Sequence, residues 1–236
     1  MIDVRNLTKS FGNLYALRGL NLTVSRGTCL TIFGPNGAGK STFIRILATL
    51  SKPTQGEIRI EGKDIFADAE QYRNRLGVIA HATYLYDELT ARENLVFYSK
   101  LYGIPDRDAT VNRLLDEVGL GKRGNDRVRT FSRGMQQRLS IARAMLHNPD
   151  ILLLDEPYTG LDQHASEMLT GWIMKLRNDK RTIILITHDL AQGLEVADEV
   201  AIFLRGRVAH SAAAGDFSNK EFQQLYFETV AGGRTN

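Results

Sequence analysis

A glycine-rich octapeptide at residues 34–41 constrains the fold more than any other part of the chain. It reads Gly-Pro-Asn-Gly-Ala-Gly-Lys-Ser and fits the pattern G-x-x-x-x-G-K-[ST] at every fixed position. Glycines let backbone N–H groups turn inward around a polyphosphate, because no Cβ intervenes. The residues predicted to hold the phosphates are Gly34, Pro35, Asn36, Gly37, Ala38, Gly39, Lys40, Ser41 and Thr42.

The flanks of this loop are those that a phosphate site needs. Residues 29–33 form a short apolar run, which predicts a buried parallel strand, and residues 43–50 repeat apolar side chains at helical spacing. The helix would direct its positive end at the phosphates. Lys40 adds a positive charge for the β- and γ-phosphates, and the Ser41 hydroxyl is placed to ligate Mg²⁺. The loop alone does not say which nucleotide is bound.

Bulk properties narrow the class of protein. The 236 residues suggest one large domain or two small ones, and the net charge of +3 (30 − 27) is too small to indicate nucleic-acid binding. No segment is apolar over the length that a bilayer requires, and the first residues do not resemble a signal peptide. The single cysteine, Cys29, excludes an internal disulfide and is predicted to be core in a protein of a reducing cytosol.

The order of predicted elements indicates an α/β protein with a helical insertion. Residues 85–146 follow a helical pattern, and strands and helices alternate again from Ile151. A short amphipathic helix is predicted near Phe222, Leu225 and Tyr226. The predicted strands are 2–4, 20–24 and 57–60 in a small N-terminal sheet, followed by the apolar run 76–80 and the strands 151–154, 182–186 and 200–204.

Two acids and a histidine follow the later strands. Asp155 and Glu156 end the apolar run 151–154, at the carboxyl end of a strand, where an α/β sheet binds its ligand. Asp155 is predicted to hold Mg²⁺ and Glu156 to orient and activate the attacking water. His188 follows the strand 182–186 and is predicted to contact a γ-phosphate.

A second anion site is predicted at the start of another helix. Ser132 and Gly134 precede a helical pattern that carries Leu139, Ala142 and Leu146. The backbone N–H groups at a helix N-terminus bind anions. Since the chain already has a phosphate loop, this second site suggests phosphates supplied by another subunit.

Taken together, these motifs resemble those of ATP-binding cassette subunits, in family order and over nearly the whole chain. The Walker A motif matches residues 34–41, the signature motif 131–137, the Walker B motif 151–156, the D-loop 159–162 and the switch histidine His188. The resemblance implies that Ser132, Gly134, Gln136 and Asp162 contact nucleotide. It also implies that Phe11 stacks on adenine, with a buried aromatic at a strand end as the alternative.

Departures from the family pattern occur at two motifs. Arg133 and Met135 stand where the usual signature Leu-Ser-Gly-Gly-Gln has a glycine and the glutamine. His81 stands where the family places the Q-loop glutamine, and is predicted to contact nucleotide and Mg²⁺ and to titrate near neutral pH. Histidine there, with Leu-Thr-x-x-Glu-Asn-Leu at 89–95, resembles the haem-exporter ATP-binding subunits of cytochrome c maturation, although their histidine usually follows glycine and here it follows Ala80.

The resemblance implies a fold and a set of partners. The fold is an α/β P-loop NTPase core at about 1–80 and 148–215, with a small N-terminal antiparallel β-subdomain, an inserted α-helical subdomain at about 82–147 and a short tail at 216–236. The cofactors are ATP and Mg²⁺, with ATP held between Lys40 of one subunit and Ser132 of the other in a homodimer. Integral membrane permease subunits would dock near the apolar segment from Tyr84 to Tyr102, whose alternative role is core packing, at the cytoplasmic face of the membrane.

Three functional classes remain to be compared. The favoured one is a transporter motor, with export over import and haem as the leading substrate, and drug or polysaccharide export as the alternative. A cassette ATPase acting on nucleic acid or ribosomes usually has coiled-coil insertions, zinc modules or two cassettes, which this sequence lacks. A small-molecule kinase would not need the signature residues or Glu156.

Overall fold

Two β-sheets organise the protein in the computed structural model, which describes residues 1–80 and 82–232. A four-stranded sheet has the order β2-β1-β4-β5, and a six-stranded sheet has the order β10-β9-β3-β8-β7-β6. The strands are β1 Ile2–Phe11, β2 Leu14–Val24, β3 Cys29–Phe33, β4 Gln55–Ile60, β5 Lys63–Asp64, β6 Leu76–Ile79, β7 Ile151–Asp155, β8 Thr182–Ile186, β9 Glu199–Leu204 and β10 Arg207–Ala213.

The smaller sheet is the predicted N-terminal antiparallel subdomain. In it β1 pairs with β2 from Ile2↔Val24 to Phe11↔Leu14, and with β4 from Ile2↔Ile60 to Thr8↔Gln55. Both β1 and β2 extend well beyond the predicted segments 2–4 and 20–24. The extra length alternates polar and apolar residues around a turn at Gly12, which has a φ of 57°. A short apolar-run criterion therefore underestimates strands that have one solvent-facing side.

The larger sheet is parallel except at one edge. Strands β9, β3, β8, β7 and β6 are parallel, and β10 adds antiparallel to β9. The sequence did not predict β10, because its residues alternate between exposed and half-buried and contain no apolar run. The strands β3, β7 and β8 are buried almost throughout, so the segments that follow them meet at one edge of the sheet.

Helices cover both faces of the larger sheet, and three of them lie in sequence between β6 and β7. Those three begin after residue 90, later than the helical pattern from 85 predicted, because residues 82–90 form turns and irregular backbone. The helices are α1 Lys40–Leu47, α2 Ala69–Arg73, α3 Ala91–Leu101, α4 Arg107–Glu117, α5 Arg133–Met145, α6 Gln163–Asn178, α7 Leu190–Val196 and α8 Asn219–Gly232.

Alternation along the buried strands divides the interior into two cores. Leu153 of β7 and Ile184 of β8 face a core shared with α1 and the smaller sheet. Leu152 and Leu154 of β7 and Leu185 of β8 face a second core shared with α3, α4, α5 and α6. Successive strand side chains point to opposite faces, so a strand covered on both sides must be apolar throughout. Cys29 lies in the second core, where burial raises its thiol pKa to about 12.

The predicted C-terminal helix is confirmed as α8, and one aromatic residue fastens it. Phe222 is fully buried, with its ring centroid 4.9 Å from Phe33 at the end of β3 and 5.8 Å from Phe217. The next aromatic residue on the outward side of α8, Phe227, is 62% exposed. The tail is thus joined to the strand that leads into the glycine-rich loop.

Replacing Phe222 with alanine should destabilise the fold, since it removes a buried ring and leaves a cavity against β3. We expect Phe222→Ala to lower the free energy of unfolding by about 3–5 kcal/mol. The same change at exposed Phe227 should cost no more than about 0.5 kcal/mol. Urea unfolding followed by circular dichroism measures both values. Equal losses for the two variants would contradict the assigned role of Phe222.

Candidate active site

The glycine-rich loop lies between the end of β3 and the start of α1, as the sequence predicts. The Lys40 side chain is 8% exposed and its ammonium donates hydrogen bonds to the carbonyl oxygens of Gly34 (2.6 Å) and Pro35 (3.1 Å). Burial lowers the pKa of Lys40, while the carboxylates of Glu156 and Asp155 act in the opposite direction. The loop therefore encloses a cation whose charge has few competing solvent contacts, a suitable partner for a polyphosphate.

The loop keeps its shape because two glycines meet neighbouring backbone. A Cβ at Gly34, whose φ is 149°, would lie 2.3 Å from the carbonyl oxygen of Phe203 in β9. A Cβ at Gly39, with a φ of 101°, would lie 2.5 Å from the carbonyl oxygen of Ala16 in β2. Gly37 has a φ of 79° but no atom within 4 Å of a Cβ position. Strand backbones on two sides thus fix the loop, and only glycine fits at the close approaches.

The predicted metal-binding pair is brought together. The Ser41 hydroxyl, in the first turn of α1, lies 3.4 Å from a carboxylate oxygen of Asp155 at the end of β7. These residues are far apart in the chain and meet because β3 and β7 end at the same edge of the sheet. A hydroxyl and a carboxylate side by side are the hard oxygen donors that Mg²⁺ prefers, so this donor set fits the ion.

The two predicted catalytic residues are hydrogen-bonded to each other. Nδ1 of His188 lies 2.7 Å from Oε2 of Glu156. Glu156 has a φ of 53°, an uncommon value for a residue with a side chain, and its N–H donates to the carbonyl of Ile186 at the end of β8. This bond joins the turn after β7 to the adjacent strand end and directs the Glu156 carboxylate towards His188.

The predicted adenine-stacking residue is accessible. Phe11, the last residue of β1, is 56% exposed, and the Lys9 ammonium lies 5.1 Å from its ring centroid. The alternative interpretation, a buried aromatic at a strand end, is therefore wrong. An exposed aromatic face beside a cation is suited to stacking against a planar ring.

The predicted second anion site has the expected helix N-terminus. Ser132 caps α5, and its hydroxyl accepts a hydrogen bond from the Met135 N–H at 3.3 Å. Gln136 follows within the first turn, and its side-chain amide donates to the Val128 carbonyl at 3.5 Å. Ser132 and Arg133 are exposed and Gly134 is half-buried, so this helix start faces solvent.

The D-loop lies beside the signature helix. Asp162 caps α6 by accepting a hydrogen bond from the Ala165 N–H at 2.8 Å. A Cβ at Gly134 would lie 3.2 Å from the Cβ of Ala165, and one at Gly160 would lie 3.5 Å from Nε of Arg133. The starts of α5 and α6 are therefore neighbours, and Arg133, which departs from the family pattern, extends along Gly160.

The apolar segment from Tyr84 to Tyr102 is only partly core. Leu95 is buried, but Tyr84 (53%) and Tyr86 (48%) are about half exposed, as are neighbouring apolar residues of α3. The aromatic rings contact one another, with the Tyr86 and Phe97 centroids 5.1 Å apart. Core packing therefore does not account for Tyr84 and Tyr86, which form an exposed aromatic surface together with Phe97 and Leu101.

Two polar residues that the sequence analysis missed hold this surface in place. Asn94 is fully buried and its amide both donates to and accepts from the backbone of Tyr86 (3.0 and 2.8 Å). The Arg143 guanidinium lies 5.7 Å from the Tyr84 ring and 5.3 Å from the Tyr98 ring, and donates to the Val78 carbonyl. A polar residue on the apolar face of a predicted helix was the signal that could have identified both.

His81, predicted to contact nucleotide and metal, lies outside the described residues. Among the helices in residues 1–80 and 82–232, none combines the length and hydrophobicity that a membrane-spanning segment needs.

A phosphate loop after β3, acids after β7 and a signature helix inserted between β6 and β7 define a P-loop ATPase of the cassette type. The family model described as ABC transporter matches residues 17–159. The chain belongs to this family, as an ATP-binding subunit that binds and hydrolyses ATP.

Curated relatives include both exporters and an importer. The chain is 37% identical to the ABC transporter ATP-binding protein NatA of Bacillus subtilis over 84% of its own length and 82% of NatA. It is 36% identical to the Nod factor export ATP-binding protein I of Rhizobium meliloti over 91% of its own length and 64% of that protein. It is 37% identical to the sulfate/thiosulfate import ATP-binding protein CysA of Mesostigma viride over 97% of its length and 66% of that protein.

Solved structures of similar proteins confirm the fold. An ATP-binding subunit of an ABC transporter superposes with a TM-score of 0.87 at 30% identity, covering 98% of this chain and 99% of that one. The ATP-binding cassette MJ0796, solved as a dimer in a post-hydrolysis state with ADP and Pi, gives a TM-score of 0.82 at 29% identity, covering 91% and 99%.

Alanine at Gly39 should distort the phosphate loop more than alanine at Gly37. Both positions have a positive φ, which costs about 1–2 kcal/mol for a residue with a Cβ. Gly39→Ala also forces a clash with the Ala16 carbonyl, so we expect it to lose about 2 kcal/mol more than Gly37→Ala in the free energy of unfolding. Thermal unfolding without nucleotide measures the difference. Equal destabilisation would show that β2 does not fix the loop.

Proposed function

We propose that this protein is the motor subunit of an exporter, and that two copies enclose ATP between the phosphate loop of one and the signature helix of the other. The observation that carries the proposal is the presence of two anion sites in one chain. Lys40 is buried in the phosphate loop, whereas Ser132 caps a solvent-facing helix start on the inserted helices. The dimeric MJ0796 structure with ADP and Pi supports a paired arrangement.

Each site residue has a proposed part in binding. Residues 34–42 surround the phosphates, and Phe11 stacks on adenine. Ser132, Gly134 and Gln136 approach the phosphates of ATP held by the partner copy, with Asp162 beside them. Mg²⁺ would be held by Ser41 and Asp155, with His81 as a further ligand, and would neutralise charge on the phosphate oxygens during transfer.

The Glu156–His188 pair supplies the proposed hydrolytic chemistry. Glu156 orients the attacking water and accepts its proton. His188 donates or accepts a hydrogen bond at Glu156 Oε2, which holds that carboxylate in one direction. His188 itself is well exposed, so it can also contact the terminal phosphate and report its presence.

The exposed aromatic surface is the proposed docking site for membrane permease subunits. Tyr84 and Tyr86 have large exposed rings whose backbones are fixed by buried Asn94 and by contacts with Tyr98 and Arg143. Rigid aromatic side chains lose little conformational entropy on binding, and they are enriched at protein interfaces. Docking there would place the protein at the cytoplasmic face of the membrane.

Export is supported by the resemblance to Nod factor export proteins, although a sulfate/thiosulfate importer is equally identical. Haem export in cytochrome c maturation rests on His81 and the segment 89–95 and stays a prediction. Drug or polysaccharide export is the second candidate, favoured by relatives described in bacitracin transport and daunorubicin resistance. The membrane partners select the substrate, so they must be identified directly.

Glutamine at position 156 should bind ATP but hydrolyse it slowly, because an amide cannot accept the proton of the attacking water. We expect Glu156→Gln to lower kcat by about 10²–10⁴-fold and to form an ATP-dependent dimer, measured by phosphate release and analytical ultracentrifugation. The matched control is Glu195→Gln, the same change at an exposed position of α7. Lys40→Ala should lose ATP affinity. Wild-type turnover in Glu156→Gln would remove that residue from the chemistry.

Charged residues at Tyr84 and Tyr86 should abolish docking without affecting ATP binding. We expect Glu156→Gln, purified with ATP from detergent-solubilised native membranes, to bring down membrane proteins that mass spectrometry identifies. Adding Tyr84→Glu and Tyr86→Glu should remove them, whereas the control Phe227→Glu, at an exposed aromatic of α8, should not.

The captured proteins also distinguish the candidate functions. Cytochrome-maturation proteins would support haem export, and another permease would support a different substrate. Ribosomes or nucleic-acid proteins without any permease would contradict the transporter proposal. Capture that survives Tyr84→Glu and Tyr86→Glu would place the docking site elsewhere.

A further inference from the structure

A cavity lies behind the signature helix, between α4, α5 and α6. It contains about 370 Å³ of empty space, at the lower end of the roughly 300–1,000 Å³ that small-molecule sites occupy. Its wall is largely apolar and includes Ile141, Leu161, Met168, Leu169 and Trp172. The size suits a small molecule rather than a peptide or a helix.

Two buried donors at this cavity have no acceptor. Gln137, which lines the cavity, is 4% exposed, and its Nε2 makes no hydrogen bond within residues 1–80 and 82–232. The Nε atom of Arg138, in the next lining residue, is also buried without an acceptor in this part of the chain. Buried donors in folded proteins nearly always have a partner, so a ligand acceptor would satisfy an existing deficit.

The charges around the cavity favour a neutral ligand. The Arg138 guanidinium donates through Nη1 to the Val118 carbonyl at 3.3 Å. Glu117 also lines the cavity, and its carboxylate accepts from Arg113 at 2.6 Å. The wall thus carries charges of both signs that already have partners, and a ligand with a net charge would gain little. Trp172 and the aliphatic side chains favour a planar apolar body.

We infer that this cavity binds a small neutral molecule that combines an aromatic ring with one carbonyl acceptor. The carbonyl accepts a hydrogen bond from Gln137 Nε2, and the ring packs among Ile141, Leu169 and Trp172. Gly134 and Leu161 form part of the wall, so a bound molecule contacts both the signature helix and the segment that precedes α6. Binding requires neither ATP nor a second copy.

Trp172 gives a direct test, because it is the only tryptophan in the chain. The full chain is labelled with fluorotryptophan, and its fluorine NMR signal is followed without nucleotide during titration with acetophenone. Ethylbenzene, a ligand of similar shape without the carbonyl, is the matched comparison. We expect a saturable shift with both ligands and about fivefold tighter binding of acetophenone, the effect of one neutral hydrogen bond.

Removing the donor should remove the preference. We expect Gln137→Met to bind acetophenone and ethylbenzene equally, while Gln223→Met, the same change at an exposed position of α8, keeps the wild-type preference. Met168→Phe, which narrows the cavity from α6, should weaken both ligands and serves as a second variant if Gln137→Met does not fold. Absence of a saturable shift, equal affinities in the unaltered protein, or a preference retained in Gln137→Met would overturn the inference.

Discussion

Burial of the Lys40 ammonium is the constraint on which the arrangement of the site depends. A nearly buried cation is costly unless acceptors surround it. Here the acceptors are the carbonyls of Gly34 and Pro35, with the carboxylates of Asp155 and Glu156 close enough to raise the pKa that burial lowers. The carbonyls require the loop to curl, and the curl requires glycine where β9 and β2 approach.

The parallel sheet converts this local requirement into an active site. Strands β3, β8 and β7 are adjacent, so the loop after β3, His188 after β8 and the acids after β7 lie at one edge. Residues more than a hundred positions apart, such as Ser41 and Asp155, then come within 3.4 Å. The strands can serve as this scaffold because both faces are covered, one by α1 and the smaller sheet and the other by the inserted helices.

The inserted helices carry surfaces that the core does not need for its own stability. The Ser132-capped start of α5 faces solvent, and Tyr84 and Tyr86 remain half exposed although buried Asn94 fixes their backbone. Apolar rings held rigidly in contact with water are unfavourable for a lone chain but suited to a partner. The cavity behind α5 lies in the same layer, where α4 and α5 pack less completely against α6.

Sequence by itself determined the P-loop class, the two sheets, the helical insertion and the positions of the phosphate loop and strand-end acids, because those depend on local patterns: glycines at fixed spacing, apolar runs and helix caps. It missed β10 and the lengths of β1 and β2, since half-exposed strands alternate without an apolar run. Only the tertiary structure decided that Phe11 is exposed, that His188 bonds Glu156, and that Asn94, Arg143 and Gln137 are buried polar residues. Burial and pairing across the fold depend on which elements become neighbours, and no single segment of sequence contains that information.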